Sequence, residues 1–182
     1  MKKILLAGLT IFSLAIMPSC SSDDDDNGSS VHPIVGTWNL DVFDASGDGM
    51  LDLGFASVPY DISQKKVGGS GTLQFSENPN KIVGNGTIEM ETEFDIELPI
   101  VGPVNDSYTE SEDLGESFAD ATYQILEGNK IRITIDGESQ TLDYAFSGNE
   151  VTLSGKSFIR EENPAGGADL EFEVDVMIKL SK

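Results

Sequence analysis

Bond-breaking catalysis needs a nucleophile, a base and a group to orient them, and this chain is short of all three. It has one Cys, Cys20, and one His, His32, which lies beside a stretch rich in Gly, Ser and Asp. A Ser–His–Asp triad, a Cys–His pair and a His-rich zinc site therefore lack their parts. Carboxylates are plentiful. Glu89, Glu91, Glu93, Asp95 and Glu97 recur at every second position, as do Glu171, Glu173 and Asp175. Such neighbours on a strand stand about 6.5–7 Å apart, which suits the carboxyl pair of an inverting hydrolase. These acids alternate with apolar residues, however, and so belong to a solvated face where nothing tunes them for proton transfer. Asp44, Ser46, Asp48 and Gly49 have the spacing of the first half of a calcium loop. Phe55 stands where a bidentate Glu must close that loop, so the segment reads as an Asp/Gly turn and no metal is expected. The expected protein is not an enzyme and carries no cofactor.

Charge narrows the partners. The chain has 11 Lys+Arg against 32 Asp+Glu, a formal net charge of -21. A surface this acidic repels phosphate backbones, which excludes nucleic acid. It repels anionic headgroups as well, so any membrane attachment has to be covalent or transmembrane.

The position of Cys20 supplies such an attachment. Lys2 and Lys3 precede an uncharged apolar run from Ile4 to Met17, and Ser19 is small, which is the three-part pattern of a secretory signal peptide over residues 1–19. The run is shorter than the ~20 residues of a permanent membrane span. Ile16-Met17-Pro18-Ser19-Cys20 resembles a bacterial lipobox, which implies that Cys20 is lipidated and becomes the new N-terminus. Residues 20–33 then read as a tether: Ser21 to Ser30 holds four consecutive Asp and nothing apolar to bury. Acids just after the Cys resemble the surface-export signal of Bacteroidota-type lipoproteins. That likeness implies an outer-membrane, surface-exposed location, with membrane lipid as the partner of acylated Cys20.

From Ile34 to Lys182 the pattern has period two, the mark of strands with one buried face. Ile82, Ile88, Met90, Phe94 and Ile96 share one side of the segment that carries the Glu89–Glu97 acids. Leu170, Phe172, Val174, Val176, Ile178 and Leu180 repeat the arrangement. Gly128-Asn129, Asp136-Gly137 and Gly148-Asn149 have hairpin chemistry. Strands are predicted near 35–43, 71–77, 82–98, 119–126, 130–136, 139–147, 150–162 and 169–180. That makes about eight strands joined mostly by hairpins, an all-β chain forming an antiparallel up-and-down β-barrel, with a β-sandwich as the alternative. Two segments interrupt the rhythm and are predicted to be long loops. Asp44 to Gly69 carries Leu51, Leu53, Phe55 and Tyr60 as the apolar side of a lid, and Pro99 to Phe118 is rich in acid.

Gly36-Thr37-Trp38 opens the first strand and resembles the Gly-x-Trp start of lipocalins and related calycin barrels. The likeness implies a lipocalin-like barrel whose Trp38 plugs the closed end, with a basic residue from a late strand packed over it, for which Lys179 is the candidate. It also implies an interior that takes one small apolar or amphipathic ligand. By alternation, Leu40, Leu73, Phe75, Met90, Phe94, Tyr123, Tyr144 and Phe146 would line that interior, or else fill it as core. The expected function is non-catalytic binding by a membrane-anchored lipoprotein. The alternative is an adhesin-type module that works through its surface.

Overall fold

The computed structural model describes residues 31–52, 57–98, 102–161 and 170–182; the signal-peptide segment, Cys20 and the Asp run lie outside them. The described residues are nearly all antiparallel β. The strands are β1 (Gly36–Asp52), β2 (Ser57–Ser76), β3 (Lys81–Leu98), β4 (Gly102–Asp113), β5 (Thr122–Leu126), β6 (Lys130–Ile135), β7 (Glu138–Ser147), β8 (Glu150–Glu161) and β9 (Leu170–Ser181). A single helical turn, α1 (Leu114–Ser117), joins β4 to β5. The hairpin turns follow their residues. Asp136 and Gly137 take φ of 52° and 85° between β6 and β7, which few residues other than Gly, Asn and Asp accept.

Eight strands form a barrel-like ring in the order β2, β1, β9, β8, β7, β6, β5, β3 and back to β2. All belong to one sheet, so the fold is not a two-sheet sandwich. β4 lies outside the ring, beside β3. Both β4 and β5 run antiparallel to β3, so together they make one traverse of the meander, interrupted by α1.

The ring is complete at one end only. β3 meets β5 through the single pair Lys81–Thr122, reinforced by Ile82 N–H to Ala121 O at 3.0 Å and Tyr123 N–H to Asn80 O at 3.3 Å. Beyond that seam β3 exchanges β5 for β4, from Thr87–Asp113 to Leu98–Gly102. β7 and β8 likewise pair only from Ser147–Glu150 to Asp143–Ser154, while β8 continues to Glu161 against β9 alone. The far end is therefore an open sheet of β8, β9, β1, β2, β3 and β4.

The core runs through both parts, from Trp38, Phe75 and Leu180 at the closed end to Val58, Tyr60 and Phe172 at the open end. Leu114 on α1 is 2 % exposed and sits over two glycines of the inner face. A Cβ on Gly71 would lie 2.2 Å from Leu114 Cδ1, and one on Gly84 would lie 2.1 Å from the Leu114 carbonyl oxygen. Absent side chains at these glycines make the room that α1 occupies. Asp113 caps the turn, its carboxylate accepting from Gly115 N–H at 2.8 Å and Glu116 N–H at 3.3 Å.

Both predicted loops are instead largely strand. Residues 44–52 continue β1 and 57–69 belong to β2; Leu53 and Phe55 lie outside the described residues. The register of β1 shifts between Leu40 and Val42, so the core-facing set changes from Trp38 and Leu40 to Phe43 and Ala45. Gly47 and Gly49 follow Ala45 on the core side. A Cβ on Gly49 would strike the Tyr60 ring at 2.8–2.9 Å, and one on Gly47 would strike Glu173 O at 2.1 Å. A parity break followed by glycine erases the apolar alternation by which strands are read. The half calcium loop is likewise extended strand: Asp44 to Ser46 pairs with both β2 and β9. Residues 102–113 form β4, and 114–117 the helical turn.

Candidate functional site

The closed end is built around Trp38, which is 2 % exposed. Its indole N–H donates to Ile34 O at 2.6 Å, and Phe146 lies against it with ring centroids 6.1 Å apart. A cation does cover the ring, but it is Lys182, with Nζ 4.3 Å from the ring centroid, rather than Lys179. Lys179 is exposed because it falls on the outward parity of β9, between core-facing Ile178 and Leu180. Lys182 follows β9 and is held by its N–H donating to Asn149 O at 3.0 Å. His32, assigned to the tether, is docked here. Its Nε2 lies 3.1 Å from Tyr144 Oη, and its Nδ1 accepts from Ile34 N–H at 3.3 Å. The folded unit thus begins at Val31, ahead of Ile34.

Of the residues expected to line the interior, Leu40, Leu73, Phe75, Met90 and Tyr123 are buried in one continuous core. Phe94 and Tyr144 are half-buried, and Phe146 is 37 % exposed. Phe75 packs edge-on to Tyr123 at 5.4 Å, and Tyr144 to Phe146 at 5.6 Å. Four of the five aromatic members therefore gather into pairs, whereas Phe94, with Met90, stands farther along β3.

Tyr123 Oη is buried without a hydrogen-bond partner among the described residues. Burial pushes its phenol above the ordinary value of 10.0, and the Glu77 carboxylate pushes it the same way. The fold therefore favours the protonated phenol. That contribution is complete below about pH 10, the unfolded value, and is lost as pH rises through the higher folded one. Tyr123→Phe is expected to raise stability by about 1 kcal/mol, since it removes an unsatisfied polar group from the core. Urea unfolding at neutral pH and above pH 10 checks both statements: the variant should show a smaller alkaline fall than the parent.

Among the described residues, two cavities lie toward the open end. The first, of about 610 Å³, occupies the wedge where β7 leaves β8. Ile133, Ile135 and Phe158 are its apolar lining, with Asp136, Glu138, Gln140, Ser157 and Lys156 as polar neighbours. Gln140 spans the parting strands by donating to Lys156 O. Phe158 is 57 % exposed, unusual for a large apolar ring. The second cavity, a groove of about 830 Å³, is formed mainly by residues that alternate with core positions on β1, β2 and β3 and by residues 105–107 of β4, together with Lys156 and Asp175. Its polar side chains come from strand register. Asp48 pairs with Asp61, Asp61 with Asp95, and Asp95 with Asn105. Directly opposite like charges repel. Turned with its nitrogen inward, the Asn105 amide donates to both Asp95 oxygens, at 3.2 and 2.7 Å.

The ammonium groups beside this groove are engaged. Lys65 lies 2.9 Å from Glu91 and 3.7 Å from Glu93, and Lys156 lies 3.0 Å from Asp175 and 3.4 Å from Glu173. Both are held above the ordinary lysine value, Lys65 chiefly by its hydrogen bond to Glu91 and Lys156 chiefly by its hydrogen bond to Asp175. The pairs are solvent-exposed and order the surface more than they stabilise it. Among the described residues, no group of three His, Cys, Asp or Glu is placed to hold a metal ion, and no helix is long and apolar enough to cross a membrane. No family model, curated protein or solved structure matches the chain.

The wedge and Lys182 were not anticipated from sequence. The wedge did leave a trace there. Turn residues allow β6 only the span between Gly128-Asn129 and Asp136-Gly137, while β8 runs on well past its hairpin. In the structure both β7 and β8 continue past their last shared pair, β7 to Glu138 against β6 and β8 to Glu161 against β9.

Proposed function

We propose that this chain is a lipid-anchored, lipocalin-like binding protein that holds a small amphipathic molecule without breaking bonds in it. The observation that carries this reading is the wedge cavity of about 610 Å³, where Ile133, Ile135 and Phe158 meet a polar rim. Its size falls in the range of about 300–1,000 Å³ usual for small-molecule sites, and its mixed lining suits a ligand with one apolar and one polar end. Trp38 beneath Lys182 at the closed end, with eight strands in a ring, adds to the likeness to lipocalins.

Binding is tested by titrating the protein with a neutral naphthylamine fluorophore and competing it with lysophosphatidylcholine. Saturable binding that falls about tenfold or more in Phe158→Glu and Ile135→Glu, with melting temperatures near the parent's, is the expected outcome. No binding, or equal binding by both variants, rejects the wedge as the site.

The anchor is tested separately. In a bacterial host, Cys20→Ser is expected to move the protein from the membrane pellet to the soluble fraction, because lipid chains contribute about 0.8 kcal/mol per buried CH₂. A variant that stays in the pellet rejects lipidation at Cys20. The adhesin-type reading is favoured by a different feature, the margin of β4 that no other described strand joins.

A further inference from the structure

Among the described residues, β4 is the last strand of the sheet and is bonded to β3 on one side only. An open strand edge offers a row of N–H and C=O groups to any extended chain that comes alongside. The direction of those groups follows from two local features. Ser107 N–H donates to the Asp106 carboxylate at 2.8 Å, so it points away from β3. Pro103, four residues earlier in the same parity, has no N–H, and a proline in a strand belongs where the missing donor faces outward. The odd-numbered residues of β4 therefore present their backbone to the open side. Pro103 and the Asp106 carboxylate obstruct its first half, which leaves Thr109 and Ser111 as the outward positions of the second half.

Charge decides what can come alongside. β4 contains Asp106, Glu110, Glu112 and Asp113 and no Lys or Arg. Behind it on β3 stand Glu89, Glu93 and Asp95, all exposed, and the Lys65 ammonium beside them is already paired with Glu91 and Glu93. Charges along an edge guard against self-pairing. With 32 acids against 11 bases, a second copy of the chain is repelled. The same field attracts a strand of opposite sign and raises its rate of encounter.

We propose that the Thr109–Asp113 half of the β4 edge is a docking site for a basic, extended polypeptide segment, which adds to the sheet as its next antiparallel or parallel strand. Backbone hydrogen bonds supply the docking and the acids supply the selection. The site is independent of the wedge cavity, so either can fail without the other.

The test uses the full-length protein and two short labelled peptides of alternating residues, one Lys–Thr and one Glu–Thr. The Lys–Thr peptide is expected to bind, the Glu–Thr peptide not, and added salt is expected to weaken binding. Amide exchange at Thr109 and Ser111 should slow in the complex. Thr109→Pro removes one outward donor while leaving the bonds to β3 in place, and is expected to weaken binding about tenfold. Glu110→Lys with Glu112→Lys should reverse the preference between the peptides. Binding that leaves exchange in β4 unchanged, or that survives Thr109→Pro undiminished, is charge attraction alone and overturns the proposal. So does self-association of the protein through β4 in sedimentation experiments. Should Thr109→Pro fold poorly, the exchange measurement on the unaltered protein still decides.

Discussion

Trp38→Ala is expected to cost about 3–5 kcal/mol, or roughly 6–20 °C in melting temperature for a domain of this size. The indole is 2 % exposed and touches features that arrive from distant parts of the chain: Ile34 O, Phe146 and the Lys182 ammonium. Its removal opens a void beneath the complete end of the ring. Two milder changes divide the effect. Trp38→Phe keeps most of the volume but leaves the buried Ile34 carbonyl without its donor, at a cost of about 1–3 kcal/mol. Lys182→Met keeps an apolar stem over the ring and removes the charge, at a cost of about 0.5–1 kcal/mol. Chemical denaturation of the three variants should rank them in that order. A Trp38→Ala loss under 1 kcal/mol would mean that the closed end is not held by this side chain.

The second large effect concerns α1. Leu114→Ala is expected to cost about 2–5 kcal/mol, because the leucine fills space that no other side chain reaches. The two glycines beneath it should respond differently. A methyl on Gly71 meets the tip of the leucine, Cδ1 at 2.2 Å, whereas a methyl on Gly84 meets the backbone of α1, the carbonyl oxygen at 2.1 Å and its carbon at 2.6 Å. Each single change to Ala overpacks the site by about 1–3 kcal/mol. In combination with Leu114→Ala they part company. The Gly71→Ala methyl then sits where the leucine tip was, so the double variant should be more stable than the sum of the two losses by about 1 kcal/mol or more. Gly84→Ala with Leu114→Ala should show no such recovery, because truncating a side chain does not move a carbonyl. Equal coupling in the two pairs would mean that α1 is free to shift as a body.

The amino-acid order determined the strands whose inner faces are built of large apolar residues. Ile88, Met90 and Phe94 on β3, or Phe172, Val174 and Val176 on β9, leave one arrangement that hides the greasy side and wets the acids. The short Gly-containing turns settled which strands are neighbours, and Gly36 and Trp38 marked where the ring begins.

Other features were decided only when distant segments met. The second half of β1 carries Ala45, Gly47 and Gly49 on its inner side because Tyr60 and the backbone of β9 come close there, and small residues leave no periodic signal. β4 has no core to cover, so its sequence shows the acids of an exposed edge rather than the alternation of a wall. Lys182 covers Trp38, and Lys179 does not, because parity along β9 turns the latter outward. The wedge exists because β7 and β8 part after Asp143–Ser154, each continuing against its other neighbour, and its lining comes from three strands. Alternation along one strand reports which face is dry. It does not report where neighbouring strands part, and the cavity and the open edge both lie where pairing ends.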